Sequence, residues 1–177
     1  MSARGALARA RGLYAGLFAL CVFVALLPLN TAPNDWPRPD LILALTLAWA
    51  MRRPADLSVA LIAPLFLAAD LLLERPPGLW AALLLIAVET LRGRRRRTRP
   101  LPPLTEWLIA ALLIGVLALA FWAAQVLFLV RQPPLDSQMA RAAVTALIYP
   151  AVAAFLHFGL GLRRHTPPDG FGRGIGT

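Results

Sequence analysis

The sequence predicts an all-α membrane protein, with six transmembrane helices in one bundle. Three observations carry that expectation. Of 177 residues, 59% are hydrophobic and only 15% charged, with a mean hydropathy of +0.66. Soluble domains run nearer half apolar and about 25% charged, and a core of this size could not hide the excess. Six apolar runs are separated by connections too short to fold as domains, and the arginines concentrate on alternate connections.

The first run, Leu13–Leu29, follows a basic stretch and invites comparison with a signal peptide. It is longer than a usual signal core, and Pro33 stands where cleavage would fall, so the sequence predicts a retained helix. The second, Leu41–Met51, is short: eleven residues span about 16 Å of helix against roughly 30 Å of hydrocarbon. A re-entrant loop is its rival. A crossing extended to Trp36, with local thinning of the bilayer, keeps the arginine pattern consistent. The remaining runs are Leu57–Leu73, Leu79–Leu91 after Pro76-Pro77, the overlong Leu104–Val130, and Met139–Leu162. Pro64 and Pro150 mark expected kinks. Trp36, Trp80 and Trp122 are expected at one membrane interface, and Tyr14, Trp49 and Trp107 at the other.

All 18 basic residues are arginine. Fourteen lie on one side: Arg4, Arg9 and Arg11; Arg52 and Arg53; Arg92, Arg94, Arg95, Arg96, Arg97 and Arg99; Arg163, Arg164 and Arg173. Arg38, Arg75, Arg131 and Arg141 face the other way. The bias predicts a multi-pass protein of the bacterial cytoplasmic (inner) membrane with both termini cytoplasmic. The division expected is a basic tail over 1–12, one transmembrane domain over 13–162 and a C-terminal tail over 163–177.

The chemistry-bearing residues are few. Asp70 lies about one turn inside the end of the third run, where an acid costs a few kcal/mol unless paired. It is either a near-interface acid reaching Arg75 or Arg141, or a buried structural or partner-binding carboxylate. Glu89 has Arg92 three residues on and reads as a satisfied helix-end group. His157 has no neighbouring His or Cys to complete a metal site, and Cys21 is the sole cysteine. There is no Gly-rich phosphate loop and no local nucleophile motif around Ser58 or Ser137. These features predict neither an enzyme nor a cofactor or metal site. Arg92, Arg94, Arg95, Arg96, Arg97 and Arg99 are candidates for anionic-lipid contacts at about 1 kcal/mol each, as well as for fixing the loop in the cytoplasm. Without interleaved aromatics, the run does not suggest nucleic acid. Small residues at spacing four (Ala142, Ala146, Pro150 and Ala154; Ala111 and Gly115) predict close helix packing, and Gln125 a bond across helices.

Two stretches resemble a known family. The segment from Trp36 to Pro54, with Arg38-Pro-Asp-Leu41, Trp49 and Arg52-Arg-Pro54, is similar to one signature of the rod shape-determining protein MreD family. Asp70-Leu-Leu-Leu-Glu-Arg-Pro-Pro-Gly-Leu-Trp80 resembles its second, although Pro64 and Ala68-Ala69 stand where that family often has a Gly-rich approach. The resemblance implies a six-helix fold similar to the substrate-binding component of energy-coupling-factor transporters. It also implies a non-enzymatic scaffold that binds MreC within the cell-wall elongation complex and maintains rod shape, with MreB, RodA and a class B penicillin-binding transpeptidase as further members. By motif match, Pro39, Asp40, Trp49, Arg52, Arg53, Pro54, Asp70 and Gly78 are the partner-binding or structural candidates. The alternative function is a small-solute binding or transport subunit of the same architecture.

Overall fold

The structure is a computed structural model and describes residues 3–27, 37–95, 102–129 and 133–161. Trp36, Arg96, Arg97, Arg99 and Arg131, and the C-terminal tail from residue 162, lie outside them. The described residues form six α-helices and no strand: α1 (Ala3–Leu26), α2 (Leu41–Arg52), α3 (Val59–Leu72), α4 (Leu79–Arg95), α5 (Pro103–Leu127) and α6 (Leu135–Ala154). A π-helical turn, Phe155–Gly159, extends α6. Three helical segments are long and apolar enough to cross a membrane: Gly5–Leu26, Pro103–Leu127 and Leu135–Gly159. That fits a transmembrane protein.

Three helices outrun their apolar stretches, because helix formation tracks Ala, Leu and Arg as readily as hydrophobicity. α1 begins well before Leu13, α4 continues into the basic run, and α6 starts at Leu135 behind Pro134.

Five helices bury a single stripe at spacings of three and four, the period of one helix face. On α1 the stripe is Ala10, Tyr14, Phe18 and Val22; on α3, Ile62, Phe66, Ala69 and Asp70. On α5 it runs from Glu106 through Ala110, Ile114, Leu117 and Phe121 to Gln125, and on α6 through Thr145, Tyr149 and Ala153. Their other faces expose large apolar side chains such as Leu112, Ile86, Leu147 and Leu20. A lipid-facing surface has this character.

α2 differs. Every residue from Ile42 to Arg52 is buried, so this helix has no outer face. It packs against α1, α4, α5 and α6, while α1 also packs on α3, α3 on α4, α4 on α5 and α5 on α6. Its twelve residues extend about 18 Å. A helix surrounded by protein has no hydrocarbon thickness to match, which accounts for its shortness without appeal to a thinned bilayer.

Trp49 is wholly buried and meets Tyr14 edge-on, with ring centroids 5.3 Å apart. Phe18 meets Phe66 at 4.9 Å, and Trp80 meets Phe121 at 4.9 Å. Tyr14, Trp49 and Trp80, expected at the membrane interfaces, thus turn inward and pack inside the bundle. The Tyr14 hydroxyl lies 3.0 Å from Thr46 Oγ1, which donates to the Ile42 carbonyl at 2.7 Å. The bond ties α1 to α2 through an otherwise apolar core.

Asp40 starts α2. Its Oδ1 accepts the Leu43 amide at 2.9 Å, an N-cap bond, and its Oδ2 accepts from Arg75 Nη2 at 3.1 Å. Asp40→Ala removes both, whereas Arg75→Ala removes only the second together with its stacking on Trp80. The cap itself is isolated by Asp40→Asn, which keeps the oxygen for Leu43 and loses only the charge: Asp40→Ala should destabilise the purified protein by about 1 kcal/mol more than Asp40→Asn, the usual size of an N-cap contribution. Thermal unfolding in detergent measures this. Equal losses would mean the cap contributes nothing.

Candidate functional site: polar anchors at both ends of the central helix

The ends of α2 carry its charged groups, while its middle is apolar apart from Thr46. At the N-terminal end, the Asp40 amide donates to Thr145 Oγ1 at 2.9 Å, and that hydroxyl donates to the Arg141 carbonyl at 2.7 Å. α2, α6 and the α3–α4 turn thus meet at one residue. Pro39 precedes the cap and is half-buried.

The α3–α4 turn follows from its sequence. α3 ends with Glu74 in the left-handed region (φ 53°), the Arg75 amide donating back to the Asp70 carbonyl at 2.9 Å and the Glu74 amide to that of Leu71 at 3.4 Å. This pair of bonds is a Schellman ending, and Pro76-Pro77 forbids further helix. Gly78 then takes φ 84°, a conformation that costs a residue with a Cβ. In that pose its amide reaches Asp70 Oδ2 at 3.1 Å, and the Ala81 amide reaches the same oxygen at 3.3 Å. Asp70, wholly buried, caps the N-terminus of α4 from the end of α3. The arginine donor expected for it is replaced by backbone amides, because Arg75 is held by Asp40. A carboxylate on the first amides of a helix also meets the positive end of its dipole.

At the other end, Arg52 Nη1 donates to Glu106 Oε1 at 2.8 Å and to the Ala48 carbonyl at 3.1 Å. The Tyr149 hydroxyl donates to the same Glu106 oxygen at 3.0 Å. All three residues are more than nine-tenths buried, so this triad joins α2, α5 and α6 inside the bundle. Arg53 closes α2, its amide bonding to the Trp49 carbonyl at 2.7 Å and its guanidinium 4.0 Å from Asp56. Pro54 stops the helix, and its carbonyl accepts from Arg92 Nη2 at 3.1 Å. Arg92 also bonds the Leu57 carbonyl and pairs with Glu89, so it clamps the α2–α3 connection to α4. Arg11 Nε reaches the Asp56 carbonyl at 3.2 Å and brings α1 to the same place.

Sequence reasoning singled out Arg52 but missed Glu106 and Tyr149. The available signal was an acid and a tyrosine on the inward stripes of two apolar helices, where polar groups are expensive unless partnered.

Beside the triad, a cleft of about 510 Å³ opens between α5 and α6. It is lined by Arg52, Glu106 and Tyr149 and by the aromatic rim of Trp107, His157 and Phe158. Pro150 shapes it. Lacking an amide hydrogen, Pro150 cannot bond the carbonyl four residues back, at Ala146, and its ring crowds that group. Trp107 Nε1 donates to the freed carbonyl at 2.9 Å. The small stripe on α6 thus divides, Ala146 receiving Trp107 while Pro150 and Ala154 border the cleft. His157 is exposed and stacks edge-on with Phe158 at 4.8 Å.

Asp70 and Glu89 do not come together. Among the described residues, no group of three or more His, Cys, Asp or Glu side chains could hold a metal ion. Of the lipid candidates, Arg92 is engaged as above, and Arg94 and Arg95 fall in the last turn of α4. No family model, curated protein or solved structure matches the chain.

Glu106→Leu leaves the Arg52 charge buried and unpaired and should cost about 3–5 kcal/mol of stability. The double variant Arg52→Met/Glu106→Leu should recover most of that loss, since replacing a whole buried pair by apolar side chains is often nearly neutral. Denaturant unfolding of the purified proteins gives the coupling. Additive losses would show that the two side chains do not depend on each other.

Proposed function

We propose that this chain is a non-enzymatic integral membrane scaffold of the bacterial cell-wall elongation complex, binding MreC and helping to maintain rod shape. In this reading it crosses the inner membrane six times with both tails in the cytoplasm, in a bundle like the substrate-binding component of energy-coupling-factor transporters. MreB, RodA and a class B penicillin-binding transpeptidase belong to the same complex.

The reading rests on the two sequence segments that resemble the MreD family, and one observation strengthens their joint use. The segments are bound to each other through Arg75 and Asp40 at 3.1 Å, and the matched residues occupy the structural turning points. Pro39 and Asp40 open α2; Arg52, Arg53 and Pro54 close it; Asp70 and Gly78 build the α3–α4 turn. A matched set arranged in this way holds both ends of α2 and the α3–α4 turn in a fixed shape, which is what a scaffold presents to a partner.

A second reading, a small-solute binding or transport subunit, is favoured by the cleft beside Arg52, whose volume of about 510 Å³ suits a small ligand. Saturable binding of a solute would separate it from a scaffold.

The test is affinity purification of the full chain in mild detergent, with membrane abundance and cell shape measured alongside. The wild-type protein should carry MreC with it. Asp70→Asn keeps an oxygen for the α4 amides and should reach the membrane but weaken MreC capture and rod shape. Asp70→Ala leaves two buried amides without their acceptor and should be at least as harmful. Absence of MreC from the wild-type sample would refute the proposal. Normal capture and shape in both variants would show that the α3–α4 turn built on Asp70 does not present the partner surface.

A further inference from the structure

We propose that the cleft between α5 and α6 seats one anionic membrane lipid, with its headgroup beside Arg52 and His157 and an acyl chain along Trp107, Pro150 and Phe158. The inference rests on the membrane placement proposed above but not on the partnership with MreC.

The cleft combines two surfaces that a lipid needs. One wall is apolar and leads outward: Trp107, Pro150, Ala154 and Phe158 line it, and Phe158 is 83% exposed. In a bilayer such side chains face hydrocarbon, so the cleft opens sideways onto acyl chains. The inner wall is polar. Arg52 is more than nine-tenths buried and spends Nη1 on Glu106 and the Ala48 carbonyl, while its Nε has no hydrogen-bond partner. A water-soluble solute would need polar groups around most of its surface, and this lining supplies them on one side only.

The sign of the charge selects an anion. Glu106 is the sole acid among the described lining residues, and Arg52 already neutralises it at 2.8 Å. α5 begins at Pro103 on the cleft wall, which places the positive end of its helix dipole there. Among the described residues, Arg53 and Arg92 also stand at this end, around the α2–α3 connection, and Arg11 reaches the same connection from α1. The potential at this end of the bundle therefore favours a phosphodiester without a compensating ammonium over a zwitterionic headgroup. Pro150 and Trp107 keep the cleft open: the proline withholds a hydrogen bond from the Ala146 carbonyl, and the indole fills that place.

Native mass spectrometry of the full chain in mild detergent, titrated with dioleoyl phosphatidylglycerol or dioleoyl phosphatidylcholine, tests the proposal. A one-to-one adduct should form with phosphatidylglycerol at about fivefold lower concentration, the factor given by one ionic contact of about 1 kcal/mol. Ala154→Phe, which fills the cleft without touching the triad, should abolish the preference, and His157→Ala should reduce it. Equal binding of the two lipids by the wild-type protein would overturn the proposal whether or not Ala154→Phe folds. So would a preference that survives both substitutions, because it would then belong to the basic loops and not to the cleft. Lipid preference without MreC capture would refute the scaffold reading alone, and MreC capture without lipid preference would refute this one alone.

Discussion

The bundle depends on a helix that has no outside. Burying α2 on every face requires other helices to supply all of its packing, and it leaves the two ends as the places where charged groups enter the interior. Both ends are closed by an ion pair with a different neighbour: Asp40 with Arg75 from the α3–α4 turn, and Arg52 with Glu106 from α5. Each pair is completed by α6, through Thr145 at one end and Tyr149 at the other. In hydrocarbon the association of apolar helices has little hydrophobic driving force, so packing and a few polar contacts carry the specificity. Here those contacts fix the axial position of α2, and through it the relative positions of α1, α4, α5 and α6.

This arrangement also explains why the polar residues are unevenly used. Asp70 serves α4 and not an arginine, because Arg75 is committed to Asp40 and the α4 amides need an acceptor. Arg92 closes the connection after α2 from the side of α4, while Arg11 reaches it from α1. The interior of the bundle is thus apolar in its middle and hydrogen-bonded at both ends. The cleft lined by Arg52 opens beside this closed interior.

Much of this was legible in the sequence, for local reasons. The apolar run Leu41–Met51 matches α2 to within a residue, although its extension toward Trp36 fails over residues 37–40, where Asp40 caps the helix, and Pro76-Pro77 announces the turn before α4. The apolar runs give six helices because their lengths and breakers leave little choice. What could not be read is pairing across long separations. Glu106 looks like an ordinary acid in the first turn of α5, where it suits the dipole, and its partners Arg52 and Tyr149 stand 54 and 43 positions away. Trp49 and Tyr14 carry the composition of interfacial aromatics, and only the surrounding helices show them to be core. Nor does hydropathy distinguish a helix facing lipid from one facing protein, since both are equally apolar. For the second segment it is therefore the arginine pattern, and not hydropathy, that favours a crossing over a re-entrant loop.

Enclosure of α2 on all sides can be tested by tryptophan scanning along this helix. Positions that face lipid accept an indole, whereas packed ones must be forced apart, at a typical cost of about 1–3 kcal/mol. Each residue from Ile42 to Ala50 other than Trp49 is replaced in turn, and thermal unfolding of the purified full chain is measured. Enclosure predicts a loss at every position. Tolerance recurring every three or four residues would reveal a lipid-facing side and contradict the account.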